Sequence, residues 1–72
     1  MAIDFIISTI NTLLAGRKIV GGVSVLRSPT GSHEVWAFVL NSDGIGKRDT
    51  LLADLPDLQQ AITVQRTLSF AQ

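Results

Sequence analysis

From Ile3 to Leu14 the apolar side chains fall at Ile3, Ile6, Ile7, Ile10, Leu13 and Leu14, the spacing that lines one face of a helix. Asp4, Ser8, Asn11, Thr12 and Ala15 occupy the opposite side. Ile and Thr are mediocre helix formers, so intrinsic propensity opposes the spacing weakly. The spacing predicts a helix. Gly16 supplies a left-handed stop, and Arg17 and Lys18 follow where cations favour the negative end of the helix dipole.

Ile19 to Arg27 is Val-rich and interrupted by Gly21 and Gly22, which predicts a strand with a bulge. Ser28, Pro29, Thr30, Gly31 and Ser32 form a turn, and His33 to Leu40 returns antiparallel. With those residues as the loop, Arg27 faces His33, Val25 faces Val35, Val23 faces Ala37 and Gly21 faces Val39. The other side pairs Leu26 with Glu34, Ser24 with Trp36, Gly22 with Phe38 and Val20 with Leu40. Both faces of this hairpin are substantially apolar, unlike a pair with one solvated side. Each face needs a cover. A one-residue bulge at Gly21 or Gly22 would reverse the faces of Ile19 and Val20.

Asn41 to Asp49 reads as a polar, glycine-containing loop. Thr50 to Leu55 has no clear period. Pro56 suits an early helical position and predicts a short helix over Pro56 to Ala61. Beyond it, Ile62, Val64, Arg66, Leu68 and Phe70 alternate with Thr63, Gln65, Thr67 and Ser69, which predicts a third strand. The order helix, strand, strand, short helix, strand gives a two-layer α+β fold. Its N-terminal helix packs on a three-stranded antiparallel sheet. The place of the third strand in that sheet stays open.

Composition sharpens this picture. At 72 residues, with 46% hydrophobic and 17% charged side chains, the chain forms one small domain over residues 1–72 and is too apolar to remain unfolded. The absence of cysteine excludes a disulfide framework, a Cys-bound zinc and thiol catalysis. A chain this short buries only about 60–65% of its unfolded surface, which makes association the remaining source of stability. Six Lys and Arg cancel six Asp and Glu, which removes the overall field expected of a dedicated nucleic-acid binder. No basic leader precedes Ile3 to Leu14, and its polar positions bar it from spanning a bilayer. The expectation is a soluble cytoplasmic protein without a membrane partner.

Candidate chemistry is sparse. His33 is the single histidine, and its neighbour Glu34 points to the other side of the strand, so they assemble neither a metal site nor an acid-base pair. Asp49, Asp54 and Asp57 suit loops and helix starts. Asp43 to Thr50 falls short of a phosphate loop, with Asn41 and Arg48 where that motif needs Gly and Ser or Thr. As a calcium loop it fails at Ile45 and Leu52. The expectation is a non-enzymatic chain with no cofactor and no metal.

Two binding surfaces stand out. Val20, Leu26, Trp36, Phe38 and Leu40 form the expected oligomer interface, because a helix of about 12 residues spans only about 18 Å and covers one sheet face. The other face is left to the Thr50 to Ala61 segment or to a second subunit. This favours a homo-oligomeric interaction module, with room for a heterologous protein partner. The alternative uses Arg17, Lys18, Lys47 and Arg48, which an antiparallel hairpin gathers at one end, to bind phosphate or nucleic acid. Asp43 and Asp49 in the same loop weaken that field and disfavour nucleic acid; heparin retention and its salt dependence discriminate the two readings. A small-ligand site beside Trp36 is a third option.

Overall fold

The computed structural model describes residues 2–71, with Ala71 described by its backbone alone. Helix α1 spans Ile3–Leu14, strands β1, β2 and β3 span Ile19–Arg27, His33–Leu40 and Lys47–Leu55, and helix α2 spans Leu58–Ala71. The strands form an antiparallel sheet in the order β1-β2-β3, so the three follow one another as a meander. This is the expected α+β arrangement of an N-terminal helix on a three-stranded antiparallel sheet. The last strand and last helix exchange places: β3 precedes α2.

The α1 boundaries follow the spacing. Ile6, Ile10 and Leu14, each four residues from the next, are its buried stripe. The left-handed stop begins one residue early, at Ala15, whose φ is 51° and whose N–H donates to the Asn11 carbonyl. Arg17 then closes the helix. Its guanidinium donates from Nε to the Leu14 carbonyl (2.9 Å) and from Nη2 to the Leu13 carbonyl (3.2 Å). Two of the carbonyls left without helical partners are thereby satisfied.

In the β1–β2 hairpin, Arg27 pairs with His33, Leu26 with Glu34, Val25 with Val35, Ser24 with Trp36 and Val23 with Ala37, as expected. The turn is fastened by Ser28. Its buried Oγ lies 2.9 Å from the Thr30 hydroxyl and 2.6 Å from the Ser32 hydroxyl, and it accepts the Ser32 N–H. Beyond Val23 the register moves. Gly21 and Gly22 have no partners in the ladder, so Ile19 pairs with Val39 and Val20 with Phe38 instead of Leu40. Gly21 takes a φ of 83°, which glycine adopts without steric cost. Because the bulge absorbs two residues, Ile19 still points inward and Val20 outward. Neither Gly21 opposite Val39 nor Gly22 opposite Phe38 survives as a pair.

Strand β3 was hidden by a bulge of its own. Trp36 pairs with Leu51 and Val35 with Ala53, leaving Leu52 between them. Leu52 and Ala53 therefore both face the core, which destroys the alternation a strand normally displays. Asp49 and Asp54 lie in this strand rather than in a loop or helix start.

The segment expected as the last strand is α2. Ala61, Val64 and Leu68 are its buried stripe, at helical spacing, while Phe70 is 90% exposed. An inward strand face would have buried Phe70 with Val64 and Leu68. Asp57 starts the helix by accepting the Gln59 N–H on Oδ1 (3.0 Å), and Thr63, Thr67 and Ser69 return their hydroxyls to the carbonyls four residues back. The predicted helix over Pro56 to Ala61 is thus the first turn of a longer one, shifted to Leu58.

Both helices pack against the same side of the sheet. One cluster joins Ile6, Ile10 and Leu14 of α1, Ala61, Val64 and Leu68 of α2, and the inward residues Ile19, Val23, Val35, Ala37, Val39, Leu52 and Leu55. Gln65 pins α2 to the bulged strand by donating from Nε2 to the Val23 carbonyl at 2.7 Å. No helix among the described residues is long and apolar enough to cross a membrane.

Candidate interaction face

Side chains alternate across a strand, so the residues between the core positions share the opposite face. On β2 these are Glu34, Trp36, Phe38 and Leu40; their ladder partners add Val20, Ser24 and Leu26 from β1, and Lys47, Asp49, Leu51 and Asp54 from β3. All five residues of the expected interface, Val20, Leu26, Trp36, Phe38 and Leu40, therefore stand on this one outer face. Leu26 is 52% exposed, Phe38 42% and Leu51 39%, while Val20, Trp36 and Leu40 are half-buried against their neighbours. Thr50 to Leu55 does not fold over it. That stretch widens the sheet as β3, and the helix that follows joins α1 on the other side.

The relief of this face comes from a row of small residues beside a row of large ones. Gly22 and Ser24 on β1 leave a hollow of about 260 Å³ walled by Leu26, Trp36 and Phe38, with Asp49 at its margin. Trp36 is held in place locally, since its Nε1 donates to Glu34 Oε1 at 3.1 Å. Lys47 extends over the Phe38 ring, with Nζ 5.0 Å from its centroid. Sequence reasoning missed Leu51. The Leu51-Leu52 doublet was its signal, because neighbouring apolar residues in a strand supply both faces.

The four cations do not form one patch. Arg48 pairs with Val39, an inward position, whereas Lys47 pairs with the outward Leu40. Lys18 immediately precedes β1, and its carbonyl accepts the Leu40 N–H at 2.9 Å, which sets its backbone beside Leu40 at the same end of the sheet as Lys47. Arg17 and Arg48 instead border a separate hollow of about 380 Å³ with Asn41, Ser42 and Asp43. Strand alternation thus separates Lys47 from Arg48, and Arg17 is already engaged in closing α1.

The loop between β2 and β3 is organised by its own polar atoms. Asp43 Oδ1 accepts the Ile45 N–H (2.8 Å), Asn41 Nδ2 donates to the Ile45 carbonyl (2.9 Å), and the Gly44 N–H donates to the Asn41 carbonyl. These are the bonds of a turn. His33 lies in the ladder between Arg27 and Leu55, and no group of three or more potential metal ligands occurs among the described residues. No family model, curated protein or solved structure matches this chain.

Proposed function

We propose that the chain is a small, non-enzymatic protein-interaction module of the cytoplasm that acts as a homo-oligomer through the outer face of its sheet. The observation that carries this reading is the one-sided placement of both helices, which leaves Leu26, Trp36, Phe38 and Leu51 on a face that no element among the described residues covers. Burial of such side chains is worth about 25 cal/mol per Å² of apolar surface, and for a domain this small that gain is a sizeable part of its stability. Three strands about 4.8 Å apart and eight residues long give a footprint of roughly 14 Å by 26 Å. That is about 360 Å² per copy, below the roughly 800 Å² per partner of standard stable interfaces, so the assembly is weak and dissociates on dilution.

Light scattering across a dilution series tests this directly. The expected mass is a multiple of the single chain at high concentration and falls toward one chain on dilution. Trp36→Glu introduces a carboxylate into the apolar contact and is expected to weaken association by about 100-fold or more, with an unchanged circular dichroism spectrum. A folded Trp36→Glu variant that retains the wild-type mass at every dilution would remove this face as the contact.

A further inference from the structure

The outer face is electrically polarised along its strands. At one end, Lys47 of β3 pairs with Leu40, and Lys18, just before β1, accepts the Leu40 N–H on its carbonyl. At the other, Glu34 pairs with Leu26 on one side and Asp54 on the other, so two acids share the end opposite the two lysines. The apolar residues Val20, Trp36, Phe38 and Leu51 lie between. Asp49, level with Phe38, is the remaining charged residue of the middle. The chain's charges sum to zero, yet this face carries a separated pair of opposite ends.

On the reading that two copies join through this face, we infer that they pack face to face with strands antiparallel across the contact, Lys18 and Lys47 of each copy meeting Glu34 and Asp54 of the other. A twofold axis in the plane of the contact can run across the strands or along them. An axis across the strands reverses their direction and lays the basic end of one copy on the acidic end of its mate. An axis along them lays lysine on lysine and acid on acid. Stacked sheets sit about 10 Å apart and twist about 30° relative to one another, a separation that long Lys and Glu side chains bridge at the rim. The arrangement also sets Phe38 toward the Trp36 level of the other copy. Charge of this kind selects orientation more than it adds affinity.

Charge reversal separates the two arrangements. Lys18→Glu with Lys47→Glu makes both ends acidic and is expected to weaken the dimer about tenfold or more. Glu34→Lys with Asp54→Lys makes both ends basic and weakens it similarly. Combining all four reversals restores opposite ends and recovers at least about threefold of the affinity that either double reversal loses, short of wild type because the Glu34–Trp36 and Lys47–Phe38 contacts are gone. Sedimentation gives the constants, and circular dichroism checks that each variant is folded. Double reversals that leave the constant within about twofold overturn the orientation. If Trp36→Glu still abolishes association in that case, the face itself remains the contact. A wild-type chain that is monomeric at all concentrations removes the association and the orientation with it. Should a reversal variant unfold, the wild-type protein decides: its dissociation constant must rise between about 20 mM and 500 mM salt, and one that holds or falls overturns the orientation.

Discussion

Ala15 carries the most demanding backbone of the described non-glycine residues, with φ 51° and ψ 44° at the end of α1. A left-handed conformation costs an L-residue about 1–2 kcal/mol, whereas glycine adopts it freely and loses roughly 0.5–1 kcal/mol through its looser unfolded state. The first effect is larger. Ala15→Gly is therefore expected to raise unfolding stability by about 0.5–1 kcal/mol, read from the urea midpoint at unchanged slope; a lower midpoint would contradict this. Sequence alone pointed to Gly16 as the stop because glycine is the usual left-handed residue. Gly16 does have a φ of 83°, so two successive residues turn the chain where one was expected.

At the scale of elements, α1 and the β1–β2 hairpin were legible because a single period runs through each and a recognisable turn closes each. The end of the chain was not, since Ile62, Val64, Arg66, Leu68 and Phe70 satisfy a period of two while Ala61, Val64 and Leu68 satisfy 3.6. The helix prevails because it buries three apolar residues on one side and lets Arg66 and Phe70 reach water. Leu68→Ala is expected to cost about 2–4 kcal/mol and Phe70→Ala less than about 0.5 kcal/mol in thermal or chemical melts. A strand would make the two losses similar. The outer face was legible through β2, whose alternation is regular, and through Leu26; the contribution of β3 was not, because a bulge at Leu52 erases its pattern. The separation of Lys47 from Arg48 needed the register, since linear proximity joins residues that alternation sends to opposite sides.

As a whole molecule the protein is two layers thick, with one apolar cluster between helices and sheet and a second apolar surface outside. The inner layer accounts for a folded chain. The flanks of the sheet bear on whether further strands can add to it. Along β1 the run of ladder positions breaks at Gly21 and Gly22, and along β3 it breaks at Leu52. A flat, unbroken margin invites incoming strands to add one after another, and a kinked one does not. Concentrated solutions are accordingly expected to stay clear, with thioflavin fluorescence at baseline over days. The irregularities that obscure the pattern in the sequence are thus the features expected to hinder fibril growth.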